Sequence, residues 1–235
     1  MQRRTFMKFL GLAPTAVLMN HKLVLAETFP TQTQVTRSNP TIEEALKCGP
    51  PKRAELVVIT GRPSSGKSTL MLNLLDRFTF ERNERSLFFS LERSRDNLIQ
   101  RWRETTQHPE AFTGLMNADI YDTHRASPKN IRTVVEAAQI VNPDLSYVFI
   151  DYLQLIPWFE RGREKADLAD AILRALKRMA VELNVAVILA AQMNSGSDQK
   201  VSMLNLRGVT DPSPIDLLMT VPREVPGEEG TGTTY

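Results

Sequence analysis

At 235 residues the chain is long enough for one large domain or two small ones, and its 42% hydrophobic and 24% charged content is that of a folded globular protein rather than a disordered one. Lys and Arg total 29 against 27 Asp and Glu, a net charge of +2, so any basic surface must arise by local clustering. The lone Cys48 and the scattered His21, His108 and His124 exclude a disulfide scaffold and a structural zinc site.

No stretch reaches the roughly 18–20 apolar residues that cross a bilayer, so no membrane partner is expected. Residues 1–27 open with Arg3-Arg4-Thr5-Phe6-Met7-Lys8, followed by a modest apolar run and Val24-Leu25-Ala26. This arrangement is similar to a twin-arginine export signal; the alternative is an arm that packs on a neighbour. Residues 28–40, TFPTQTQVTRSNP, are polar, rich in Thr and bounded by Pro30 and Pro40, and read as a linker.

From Thr41 to Arg223 apolar and amphipathic runs alternate. Short β-branched or aromatic runs predict strands at Glu55–Thr60, Ser86–Leu91, Ala118–Tyr121, Tyr147–Asp151, Val185–Ala191 and Ile215–Val221. Helical spacing predicts helices over Lys67–Phe80, Ser94–Thr105, Pro128–Val141 and Lys165–Leu183. Continuously apolar strands alternating with helices imply an α/β domain with a mainly parallel sheet flanked by helices. Residues 224–235, EVPGEEGTGTTY, are poor in apolar side chains and are expected to form an unstructured tail.

Gly61-Arg62-Pro63-Ser64-Ser65-Gly66-Lys67-Ser68 fits G-x-x-x-x-G-K-[ST] and falls between a predicted strand and a predicted helix. In that context glycines let successive N–H groups turn toward phosphate oxygens, and the following helix adds its positive N-terminal end. Residues Gly61 to Thr69 are therefore expected to bind ATP, with Lys67 on the β and γ phosphates and the Ser68 hydroxyl on Mg²⁺.

Three further polar residues end predicted strands. Asp151 either holds Mg²⁺ through water or caps the turn that follows. Glu92 is either the base that polarises the attacking water or a surface glutamate. Gln192 either reports the γ-phosphate or satisfies loop backbone. In an open parallel sheet ligands bind at the carboxyl ends of the strands, so one crevice could hold the loop and all these side chains.

Arg62-Pro63-Ser64-Ser65-Gly66-Lys67-Ser68, Phe89-Ser90-Leu91-Glu92, Ile150-Asp151-Tyr152-Leu153-Gln154-Leu155 and Ala191-Gln192-Met193-Asn194 follow one another in the order seen in DnaB-type replicative helicases. From about Thr41 to Arg223 the chain resembles the RecA-like ATPase domain of that family. The resemblance implies a RecA-like P-loop fold, Glu92 as catalytic glutamate, Asp151 as Walker B acid and Gln192 as γ-phosphate sensor. Arg101 matches a family arginine to which no role is assigned. Leu204-Asn205-Leu206-Arg207-Gly208 resembles the start of the DNA-facing loop, although Val209 to Pro214 replaces the family's S-G-x-I-E-Q core.

The basic cluster Arg161, Arg163 and Lys165 either tracks single-stranded DNA or forms a solvated helix start. Nearby Trp158 and Phe159 either stack on bases or plug a core. The resemblance also implies a homo-oligomeric ring, a hexamer in the family, working on single-stranded DNA alongside other replication proteins. The family's N-terminal collar and its arginine-finger strand have no match within these 235 residues, which leads to an expectation of slow or partner-assisted hydrolysis. A hydrolysis-deficient module that regulates a helicase complex is the alternative. Because ATP-dependent work on DNA conflicts with export, a cytoplasmic location is expected over secretion.

Overall fold

Val57-Val58-Ile59, Phe88-Phe89, Phe149-Ile150 and Val187-Ile188-Leu189 are each buried without interruption, as strands covered on both faces must be. The computed structural model of the chain describes residues 31–34, 49–106, 108, 117–157, 165–193 and 206–221. Its elements are β1 (Thr31–Gln34), β2 (Leu56–Gly61), α1 (Lys67–Asp76), β3 (Ser86–Ser90), α2 (Arg95–Thr105), β4 (Ala118–Asp122), α3 (Pro128–Val141), β5 (Tyr147–Asp151), α4 (Lys165–Glu182), β6 (Ala186–Gln192) and β7 (Leu217–Val221). The strands form one sheet in the order β1-β7-β2-β6-β5-β3-β4. Every pairing in it is parallel, as the apolar runs predict.

Alternate strand residues feed two separate cores. Val57, Ile59, Phe88, Phe149 and Ile188 pack with Leu70, Leu74 and Leu75 of α1 and Leu98 and Trp102 of α2. Leu56, Val58, Phe89, Ile150 and Leu189 pack with Ile131 and Val135 of α3 and Leu173, Leu176 and Met179 of α4. Ser94 and Ser127 cap α2 and α3 by accepting hydrogen bonds from the backbone of Asn97 and Asn130.

The structure departs from the sequence expectations in three places. Thr31–Gln34, inside the stretch expected to be a linker, is an edge strand paired in parallel with Leu217–Thr220. Backbone pairing needs no apolar alternation, so a polar stretch such as TQTQ leaves no strand pattern to read. The helix expected to reach Phe80 ends at Asp76 and gives way to a wider π turn over Arg77–Glu81, closed by the Arg82 N–H on the Arg77 carbonyl at 3.2 Å. That turn seats Phe78 on Tyr147, ring centroids 4.2 Å apart. The last strand starts at Leu217 rather than Ile215, because the Ile215 N–H closes a turn on the Pro212 carbonyl.

The amino-terminal ends of four strands are tied together by side chains. Arg53, before β2, donates to the carbonyls of Leu145 (3.0 Å) and Asn184 (2.8 Å), which precede β5 and β6. Lys177 of α4 donates to the Ala54 carbonyl at 2.8 Å and pairs with Asp216, which accepts the Leu56 N–H at 2.6 Å and leads into β7. Among the described residues no helix is long and apolar enough to cross a membrane.

Candidate nucleotide-binding site

The carboxyl ends of β2, β6, β5 and β3 are neighbours, and their register decides which side chains meet. Gly61 at the end of β2 lies directly opposite Gln192 of β6. Ser90 at the end of β3 lies opposite Asp151 of β5, so Glu92 emerges beside that acid. The sensor candidate therefore flanks the phosphate loop, while Asp151 sits one strand further along and Glu92 follows the strand after that.

The loop itself is built around Gly61. A Cβ there would lie 2.4 Å from Ser65 Oγ and 2.7 Å from the Val221 carbonyl oxygen, so only glycine lets the loop fold against β7. Gly66, at φ 95°, turns the chain into α1 and leaves the helix N-terminus without a side-chain cap. Those first N–H groups carry the positive end of the helix dipole and suit an anion. The Ser65 hydroxyl is buried without a hydrogen-bond partner, a polar atom available to a bound group.

Lys67 curls back over the loop and donates to the carbonyls of Gly61 (3.0 Å) and Arg62 (2.7 Å). Burial lowers the pKa of its ammonium, while Asp151 and Glu92 oppose that shift. Asp151 is only 4% exposed. Burial raises its carboxyl above the ordinary value and Glu92 adds to the rise, while a hydrogen bond to Ser68 and the charges of Lys67 and Arg93 pull it down. A buried carboxylate bonded to the Ser68 hydroxyl, with a second carboxylate near, is an oxygen donor set that fits Mg²⁺. Glu92 itself is exposed to the crevice.

Several residues the sequence reading left without a role complete the site. Arg101 of α2 donates from Nη2 to Thr69 Oγ1 at 2.9 Å and so fixes the first turn of α1 from outside. Tyr152 hydrogen-bonds the Gln192 side chain; burial, then Glu92 and Asp151, raise the pKa of its phenol. Gln154 accepts the Gln192 backbone N–H at 3.2 Å. The signal for both was present, since two polar side chains following a fully apolar strand have little packing reason to be there. Arg207 is exposed and its N–H donates to the Gln192 carbonyl at 2.9 Å, with Gly208 next to it in a left-handed conformation at φ 82°. Arg161, Arg163, Trp158 and Phe159 lie outside the described residues.

The profile of the DnaB-like helicase C terminal domain family matches residues 47–108 and 102–207, well over half of the chain. The chain belongs to this family. Among curated proteins, this DnaB-like chain is 30% identical over 174 residues to the replicative DNA helicase DnaB of Geobacillus stearothermophilus, a match covering 63% of the chain and 37% of that relative. It is 28% identical to the replicative DNA helicase DnaC of Bacillus subtilis over the same shares. The match thus spans little more than a third of the length of these relatives.

Two solved structures share the fold. The ATPase domain of G40P superposes with a TM-score of 0.65 at 21% identity, covering 88% of this chain and 81% of that one. A DnaB-like replicative helicase, solved for its interactions with primase, gives 0.64 at 22% identity, covering 88% and 56%. The DnaB-like domain is accordingly a RecA-like α/β fold.

Proposed function

We propose that the chain is the ATPase core of a DNA helicase, which hydrolyses ATP to move along single-stranded DNA. The observation that carries this reading is the register of the sheet, which sets Gly61 opposite Gln192 and Ser90 opposite Asp151. Phosphate loop, carboxylate pair and amide sensor then share one crevice. In it the loop N–H groups and Lys67 hold the triphosphate, and Lys67 exchanges the Gly61 and Arg62 carbonyls for phosphate oxygens. Ser68 and Asp151 hold Mg²⁺, which when bound neutralises phosphate charge. Glu92 takes up the proton of the attacking water from its exposed position beside Asp151. Gln192 contacts the γ-phosphate and passes its loss to the adjoining Arg207–Gly208 segment, which meets the DNA phosphates.

Residues 41–223 form the ATPase unit in this reading. By analogy with the helicases it matches, the unit assembles as a homo-oligomeric ring, acts in the cytoplasm and works beside other replication proteins. The test is ATP hydrolysis by the full chain with and without single-stranded DNA, with Lys67→Ala as the blank. Turnover that rises with DNA is expected. Measurable ATP binding with turnover no higher than the blank would instead make the chain a hydrolysis-deficient partner of a helicase complex.

A further inference from the structure

The segment from Leu206 to Asp211 is held at both ends, but by different means. Its far end is fixed to the helix layer: Asp170 of α4, buried at 3% exposure, accepts the N–H groups of Thr210 (2.9 Å) and Asp211 (3.1 Å). Its near end meets β6 through a short antiparallel bridge between Met193 and Leu206 and the bond from the Arg207 N–H to the Gln192 carbonyl. Between those two chains lies the side chain of Gln154. Its Oε1 accepts the Gln192 N–H at 3.2 Å, and its Nε2 donates to the Arg207 carbonyl at 3.4 Å.

Gln154 belongs to the short 3-10 turn Leu153–Leu155, which begins two residues after Asp151. Tyr152, at the start of the same turn, hydrogen-bonds the Gln192 side chain. One five-residue stretch, Asp151 to Leu155, thus carries the metal-site acid and grips Gln192 by both its side chain and its backbone. Through Gln154 it also reaches Arg207. We infer that Gln154 is a positioning residue that braces the Arg207 segment against Gln192, reinforcing the direct bond from the Arg207 N–H to the Gln192 carbonyl, so that displacement of Gln192 moves the Arg207 segment with it. This rests on the reading of Gln192 and Arg207 given above. An amide suits the task because it accepts on one side and donates on the other; a carboxylate only accepts.

Hydrogen exchange at the Arg207 amide in the full chain tests this, with and without a non-hydrolysable ATP analogue. In the wild type the analogue is expected to change that exchange rate by about 3- to 10-fold, the effect of gaining or losing one hydrogen bond. Gln154→Glu keeps the acceptor for Gln192 but cannot donate to the Arg207 carbonyl, and is expected to bind the analogue with a smaller change at the Arg207 amide than in the wild type, the direct bond from that amide to Gln192 remaining. Gln154→Met, of similar length, gives the same result if the carboxylate variant does not fold. In parallel, the effect of the analogue on single-stranded DNA affinity should fall in either variant from a wild-type coupling of about 5- to 150-fold. A wild-type-sized change at Arg207 in both variants would overturn the assignment, as would a wild type that binds the analogue with no change there. A wild type that binds no analogue would overturn the nucleotide reading itself.

Discussion

Asp151 is a carboxylate that the fold keeps from water and that Ser68, Lys67 and Arg93 only partly compensate. Its folded pKa lies above the ordinary 3.8, so the folded protein holds the proton to higher pH than the unfolded chain does. The stability contributed is complete below the unfolded value and is lost as pH rises through the folded one. Asp151→Asn should therefore flatten the fall in melting temperature across that window, measured without Mg²⁺, while abolishing Mg²⁺-dependent turnover. An unchanged pH slope would mean that other groups dominate it. Glu92, by contrast, is exposed. Glu92→Gln should leave ATP binding intact and lower turnover by about 10²- to 10⁴-fold, measured by phosphate release at saturating ATP. Full turnover would remove Glu92 from its proposed role.

Between elements, polar groups are placed where packing alone would not require them. The indole N–H of Trp102, buried in α2, donates to Asp76 Oδ1 at 2.9 Å across to the end of α1. Thr106 reaches the same oxygen, so α1 and α2 meet at this buried acid as well as at their apolar faces. Trp102→Phe removes the donor and part of the ring, and a loss of about 1–3 kcal/mol in urea unfolding is expected. The two helices themselves could be read from residue spacing, but Asp76 as their shared acceptor could not. Its partners lie in a different helix, and only the fold brings them within reach. Gln154 stood out as a polar residue past an apolar run, but its two bonding partners could not be read, lying 38 and 53 residues away. The phosphate loop was legible because its chemistry is confined to consecutive residues. Strand register was not, so Gly61 and Gln192 could be assigned to one crevice but not to opposite positions.

For the molecule as a whole, β7 is covered on its outer side, among the described residues, by β1 alone. Residues 217–221 read LLMTV, an apolar strand that would present free N–H and C=O groups if β1 were gone. A chain shortened to begin at Thr41 should therefore form larger, concentration-dependent aggregates in light scattering than the full chain does; equal behaviour would show that β1 does not protect the edge. The opposite end of the strands has a different character. Arg53 and the Lys177–Asp216 pair clasp the beginnings of β2, β5, β6 and β7 through carbonyl and carboxylate contacts. A sheet clasped along one rim and carrying loops along the other behaves as a vice with a fixed jaw. In the proposed reading, movement at the phosphate loop reaches the open rim, where Gln192 and Arg207 stand, rather than the clasped one.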